Sequence, residues 1–185
     1  IDDFLASLVN SACAVGERMR HDTLDVLVGL MQLYGAAGRA SRMRKDDFTG
    51  AYKTLPIRGA HLDLAVAVLI GPSGLQAQEL WACPFGALGS VHAWDRLGSA
   101  VQLILAELFL LPYARYVAAL LGADPAGTGA EACAAAEVAR FVIENFLGWE
   151  LDHEKAREDA ADLTALGVDV RATDGGVELR IGAER

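Results

Sequence analysis

Apolar residues recur at helical spacing over the first twenty positions. Phe4, Leu5, Leu8, Val9, Ala12 and Val15 predict a helix across Asp2–Arg20, with Asp2 or Asp3 as its cap. His21-Asp22-Thr23 breaks that pattern. Thr23 then caps a second helix carrying Leu24, Leu27, Val28, Leu30, Met31, Leu33 and Tyr34, which ends at Gly35–Gly38. A short strand ending near Asp47 follows, then a turn or one to two turns of helix up to Leu55. Leu62–Ile70 is rich in β-branched residues, and Gly71-Pro72-Ser73-Gly74 reads as a turn into a second strand, Gln78–Cys83. The spacing becomes helical again from Gly89 to Leu111, where Pro112 stops it. Tyr113–Ala123 reads as a buried hairpin or strand, although its alanines equally allow a helix. Glu131–Leu147 predicts a helix with Val138, Phe141, Val142 and Phe146 on one face. Glu150–Lys155 reads as a short strand into a polar turn, and Arg157–Ala165 as a charged helix. Val168–Ile181 alternates around Thr173-Asp174-Gly175-Gly176, a hairpin signal. This order predicts an α+β fold with a mostly antiparallel sheet packed on helices.

Composition narrows the picture. A chain of 185 residues, 53% of them hydrophobic, suits one ordinary globular domain. Its net charge of −9 is uneven. Residues 1–60 carry eight Lys/Arg against seven Asp/Glu, and the remainder eight against eighteen. That acidity argues against tight non-specific nucleic-acid binding, while the basic cluster Arg39–Lys45 still permits a local phosphate contact. Cys13, Cys83 and Cys133 are far apart and read as small buried hydrophobes in a reducing, intracellular setting, cytoplasmic or nuclear. The four histidines show no ligand spacing, so zinc is not expected. The most apolar helix, Leu97–Leu111, is too short to span a bilayer and carries Gln102 and Glu107, so no membrane role is expected. The chain opens at Ile1 without a methionine, as an excised segment of something longer would.

The candidate chemistry centres on Arg44-Lys45-Asp46-Asp47-Phe48-Thr49-Gly50-Ala51-Tyr52. A carboxylate at the end of a buried strand is costly unless it holds a metal or a cation. The alternative is that Asp46 or Asp47 simply caps the helix that follows. Further along stand Cys83-Pro84-Phe85-Gly86-Ala87, then a helix with Trp94 and Arg96-Leu97. After these come Tyr116-Val117, Trp149-Glu150-Leu151 leading to Lys155, and Leu166-Gly167 before the last hairpin.

In order and spacing, these pieces resemble the fingers and palm of a retroelement-type reverse transcriptase. Asp47 and Tyr52 look like the family's first catalytic motif, and Pro84-Phe85-Gly86 like the motif bordering template and nucleotide. Tyr116-Val117 looks like the start of its Tyr-Val-Asp-Asp motif, and Leu166-Gly167 like its primer grip. Ile1-Asp2-Asp3-Phe4 to Val9-Asn10 is a weaker match to the entry of the fingers. The resemblance implies fingers-side helices over about residues 1–43, a palm over about 44–165 and a primer-grip hairpin over about 166–185, without thumb or nuclease domains. It implies an RNA template, a DNA primer and dNTP as partners, with Mg2+ as cofactor. It also implies Asp47 as metal ligand and catalytic residue, and Lys155 as the general acid on pyrophosphate. Phe48, Tyr52, Phe85 and Gly86 become nucleotide-binding residues, with Tyr52 under the incoming sugar. Other roles stay open beside these: a core aromatic for Tyr52, a solvated lysine for Lys155, and a solvated strand edge for Arg44 and Lys45. Trp81, Trp94, Phe109 and Phe141 lie in apolar runs and read as core.

One departure changes the expected function. Where the family has two aspartates after Tyr116-Val117, this chain has Ala118-Ala119. Two-metal nucleotidyl transfer needs oxygen ligands for both magnesium ions, and a methyl group supplies none. With Asp47 alone, an ion riding on the triphosphate can be retained, but the ion at the primer end cannot. Asp46 and Asp124 are possible substitutes; Asp46 should point to the opposite face of a regular strand and Asp124 sits beside Pro125, so both read as solvated surface acids. The expectation is an inactive or severely impaired RNA-directed DNA polymerase domain. The alternative is a non-catalytic scaffold or protein-binding domain derived from a retroelement.

Overall fold

Thr23 fixes the start of the first long helix. Its backbone is extended and its hydroxyl accepts the Asp25 N–H at 3.3 Å, so α1 runs from Leu24 to Ala36. The computed structural model describes residues 8–127, 129–173 and 176–181. In chain order the strands are β1 Ser41–Asp47, β2 Val66–Gly71, β3 Gly74–Glu79, β4 Tyr113–Tyr116 and β5 Ala119–Pro125. They continue with β6 Arg157–Ala160, β7 Asp162–Ala165, β8 Val168–Thr173 and β9 Gly176–Ile181. The other long helices are α2 Leu88–Phe109 and α3 Gly129–Phe141, the latter continued by a π-helical turn over Val142–Phe146. The α+β class expected from the sequence is the class observed. The chain divides into two compact units, one formed by the segment up to Arg20 with Gly50–Leu97, the other by His21–Thr49 with Gly98 onward.

The larger unit contains an antiparallel sheet in the order β4-β5-β1-β6. Register fixes what each face carries. Met43 pairs with Ala123, Lys45 with Leu121 and Asp47 with Ala119 on one face; Arg44 pairs with Gly122 and Asp46 with Leu120 on the other. The first face packs on α1, where Leu27, Met31, Met43, Ala114, Leu121 and Ala123 form one buried cluster. Each of the larger side chains contributes about 1.5–3 kcal/mol by leaving water. Leu163, Ala165 and Val170 of the three-stranded sheet β7-β8-β9 join the same cluster.

Two expectations fail in this unit. Arg157–Ala165 is not a helix but two strands, β6 and β7, on either side of Ala161. Burial alternates along β7, with Leu163 and Ala165 inside and Asp162 and Thr164 out. That period of two outweighs the helix propensity of the charged residues. Glu150–Lys155 forms no strand beyond a single bridge from Leu151 to Phe48. The hairpin expected over 113–123 is present as β4–β5. The last hairpin is present as β8–β9, its turn residues Asp174 and Gly175 lying outside the described residues. Leu166 and Gly167 both have left-handed backbones (φ 54° and 76°) and close the two-residue turn between β7 and β8.

The smaller unit contains the β2–β3 hairpin, closed at Gly71 and Gly74. Short 3-10 helices cover Ala51–Thr54 and Gly59–Leu64. The helix expected over Asp2–Arg20 is reduced, among the described residues, to one 3-10 turn at Asn10–Ala12. Leu8 has a left-handed backbone (φ 61°) and a bend follows at Gly16, so no helix continues through either point. Ile1 to Phe4, the weak match to a fingers entry, lies outside the described residues.

Candidate active site

Asp47 is the last residue of β1, and the backbone on both sides is pinned. The Phe48 N–H donates to the Ala118 carbonyl at 3.0 Å, and the Asp152 N–H donates to the Asp47 carbonyl at 2.8 Å. The strand end therefore lies between the tip of the β4–β5 hairpin and the segment around Leu151. The Asp47 side chain, 22% exposed, shares its face with Lys45 and Ala119. Burial pushes its carboxyl above the usual range, while Lys155 and then Lys45 pull it back. Lys155 Nζ stands 4.0 Å from Asp47 and 2.8 Å from Asp152. Its own pKa is raised, first by the hydrogen bond from its ammonium to Asp152. Asp152 was not expected at the site. Its spacing of three residues from Lys155, in a predicted turn, is the signal that could have found it.

The hairpin tip consists of Val117 and Ala118 between paired Tyr116 and Ala119. Val117 has a left-handed backbone (φ 52°), which a β-branched residue adopts only under constraint, at a cost of about 1–3 kcal/mol. Arg115 supplies part of that constraint: its buried guanidinium donates to the Val117 carbonyl at 3.4 Å and to Ser99 Oγ at 2.9 Å. The tip thus presents Ala118 and Ala119 beside the Asp47 carboxylate. Among the described residues no three Asp, Glu, His or Cys side chains converge to hold a metal ion. The two methyl groups at the tip supply no oxygen ligand for a magnesium ion.

The opposite face of β1 corrects three expectations. Asp46 does point away from Asp47, but it is not solvated: it is 1% exposed and ion-paired with Arg140 of α3 at 2.8 Å. Its carboxyl is also raised, by burial first, with Arg140 opposing. Asp124 sits in β5 rather than a loop, and its carboxylate meets Arg44. Arg44 is neither at a solvated edge nor open to a phosphate. It is 1% exposed, with its guanidinium carbon 4.3 Å from the centre of the Tyr113 ring and its side chain against Gly122. Lys45, one residue on, stays on the Asp47 face.

In the smaller unit, Tyr52 is 6% exposed and meets the Phe85 ring edge-on at 4.9 Å, while Phe85 itself is 64% exposed. Gly86 turns with φ 83°, and its carbonyl accepts from Asn10 Nδ2 at 2.8 Å. The same Asn10 amide accepts the Leu88 N–H, so one side chain links the Pro-Phe-Gly turn to the start of α2. In the larger unit, Phe48 packs its ring edge-on against Trp149 at 6.2 Å and is 6% exposed. Its side chain belongs to the packing rather than to an open nucleotide surface. Trp94 is core, as expected; Trp81, Phe109 and Phe141 are not, being 70%, 39% and 54% exposed. Cys13 is exposed, and Cys83 and Cys133 are half-buried, rather than fully enclosed. No described helix is long and apolar enough to cross a membrane.

Comparison with known proteins adds one finding. No protein-family model matches the chain, and no curated protein matches it. Solved structures do. The foamy viral protease-reverse transcriptase in complex with RNA/DNA hybrid matches with a TM-score of 0.66 at 19% identity, over 96% of this chain and 21% of that one. The same kind of protein bound to double-stranded DNA matches at 0.69 and 18%, over 93% of this chain and 27% of that one. The CSH mutant of the Prototype Foamy Virus protease-reverse transcriptase matches at 0.67 and 16%, over 94% of this chain and 20% of that one. The fold is that of a reverse-transcriptase segment. The chain spans about a fifth to a quarter of the length of these three proteins.

Proposed function

We propose that this chain is a reverse-transcriptase-type palm and fingers segment that binds a template–primer duplex but does not extend it. The observation that carries the proposal is the pairing of Asp47 with a hairpin whose tip bears Ala118 and Ala119. The fold supports nucleic-acid binding, because two of the similar structures hold an RNA/DNA hybrid or double-stranded DNA. The donor set argues against turnover. Polymerases attack the α-phosphate through two ions that neutralise charge at both the entering and the leaving oxygen, and nearly all the rate comes from that positioning. Here Asp47 is the lone acid of the expected triad, so the primer hydroxyl has no ion to lower its pKa. Lys155, which the resemblance makes the acid on pyrophosphate, is held by Asp152 at 2.8 Å. Tyr52 is as buried as Phe48 and packs against Phe85, so of the expected nucleotide residues Phe85 and the Gly86 turn are the ones open to a sugar or base.

A primer-extension assay on an RNA template, alongside fluorescence anisotropy with a labelled hybrid, tests this. The proposal expects salt-dependent hybrid binding and no extension. Robust, magnesium-dependent synthesis by the unaltered chain would contradict it. Ala118→Asp with Ala119→Asp should restore metal ligands, and with them weak extension.

A protein-binding role is the second reading. Phe109, Val138, Phe141 and Phe146 line a groove of about 550 Å3, with Phe141 and Phe146 edge-on at 5.5 Å and both exposed. Stable complex formation with a purified partner, without any nucleic-acid binding, would favour it.

A further inference from the structure

We infer that the groove lined by Phe109, Phe141 and Phe146 is an aromatic cage for the trimethylammonium head of a methylated lysine on a partner protein. The inference rests on the protein-binding reading of that groove and names what the groove takes. The rest of the lining is Glu137, Val138 and Val142. A π-helical turn decides its shape. Five residues apart in an α-helix, two side chains point about 140° away from each other. Val142–Phe146 forms a wider turn instead, closed by the Leu147 N–H, which donates to the Val142 carbonyl at 3.1 Å. The wider turn brings Phe146 back beside Phe141. Their rings stand 78° apart with centroids at 5.5 Å, so they make a corner rather than a stack. All three phenylalanines are exposed.

Charge decides between an apolar occupant and a cation. The faces of aromatic rings are negative, and three rings line this groove. Glu137 lies one turn before Phe141 on the same side of α3 and is exposed. A wholly apolar occupant would strip water from that carboxylate without replacing it. A cation would meet the carboxylate and the rings together. The neighbouring cation on α3, Arg140, is turned away, to Asp46 and Glu158. The wider surroundings agree in sign, since residues from 61 onward carry eight Lys/Arg against eighteen Asp/Glu. A plain ammonium holds its water strongly. Three methyl groups remove its N–H donors and give it apolar surface to set against Val138 and Val142. The groove is open-sided, Phe146 being 74% exposed, whereas a site for a free small molecule encloses most of its ligand. A side chain presented by another protein suits it, with the methylene stem of the lysine lying along the apolar wall.

NMR titration of the full chain with a short glycine–serine peptide carrying one trimethyl-lysine tests the inference. Saturable shifts should appear at the residues lining the groove. The same peptide with an uncharged tert-butyl group in place of the trimethylammonium should bind about tenfold more weakly or worse, since each exposed ring contributes roughly two- to fivefold. Unmodified lysine should also bind more weakly. Phe141→Leu and Phe146→Leu should each weaken binding by roughly two- to fivefold, and Phe146→Trp should tighten it. Glu137→Gln should weaken it by a factor that shrinks at high salt. Melting curves confirm that each variant is folded. Trp81→Leu, which removes an exposed aromatic outside the groove, should leave affinity unchanged. Absent binding, or unchanged binding in both Phe→Leu variants, overturns the inference. Equal binding of the tert-butyl peptide sinks the cage alone and leaves an apolar protein-docking groove. Choline titrated in parallel should bind more weakly than the peptide; equal or tighter binding would assign the site to a free organic cation and overturn lysine as its source. Anisotropy with the labelled hybrid on the same samples separates the readings. Peptide binding together with hybrid binding keeps the cage and sinks only the claim that a protein partner replaces nucleic acid.

Discussion

The two faces of β1 handle charge in opposite ways. On one, Arg44 and Asp46 are enclosed and each has a partner from another element, Asp124 and Arg140. On the other, Lys45 and Asp47 stand near the open end of the sheet, and the residue opposite Asp47 is Ala119, which offers no charge at all. Adjacent residues of one strand thus serve different ends. Asp46–Arg140 ties the sheet to α3 and Arg44–Asp124 ties β1 to β5, while at the end of the other face Asp47 meets the exposed Lys155 at 4.0 Å. A buried ion pair adds little net stability over an apolar pair but is expensive to break from one side. The Asp47 end of the other face is more exposed, so substitution there should change binding more than folding.

The largest expected effect comes from breaking the enclosed face. Arg140→Ala leaves Asp46 buried, with its Arg140 partner gone and only Arg44 to offset its charge. A loss of about 3 kcal/mol in denaturant unfolding is expected. A loss below about 1 kcal/mol would mean that the pair does not organise the sheet. Gly122→Ala comes next. A Cβ there would lie 2.5 Å from Arg44 Nε and 2.8 Å from its Cζ, and this arginine has no room to retreat because it is held by Asp124 under Tyr113. About 1–3 kcal/mol should be lost.

The smallest effect is at the open end of the Asp47 face. Burial raises the Asp47 carboxyl, so the folded state holds its proton more tightly than the unfolded chain does. The resulting stability is present below the ordinary aspartate value of 3.8 and is lost as pH rises through the higher folded value. Asp47→Asn should therefore be neutral at acid pH and slightly stabilising at neutral pH, by less than about 1 kcal/mol because Lys155 and solvent already offset part of the cost. A variant less stable than its parent at neutral pH would show that Asp47 is held by something stronger than Lys155.

Much of this arrangement was legible in the chain. Thr23 before an apolar helix, Tyr113–Ala123 between prolines, and the alternation after Val168 all specify elements through local chemistry alone. Asp47 at a strand end could be read because a carboxylate there needs a reason. Charged residues inside the sheet could not be read so. Arg44, Asp46 and Asp124 look like surface residues because isolated charges are almost never buried, and the partners that enclose them come from 80 or 94 residues away. Trp81, Phe109 and Phe141 failed for the converse reason. Periodicity marks an apolar face but not whether a second element exists to cover it. Arg157–Ala165 misled because its charged residues suit a helix, while only Leu163 and Ala165 carry the period of two.

The central claim is that the centre around Asp47 lacks the ligands for a pair of metal ions. Titrating Mg2+ into the chain and into the Ala118→Asp, Ala119→Asp variant by calorimetry tests it most directly. The account predicts no saturable site in the unaltered chain and a new one in the variant, lost again on adding Asp47→Asn. A saturable magnesium site in the unaltered chain that disappears with Asp47→Asn would contradict it.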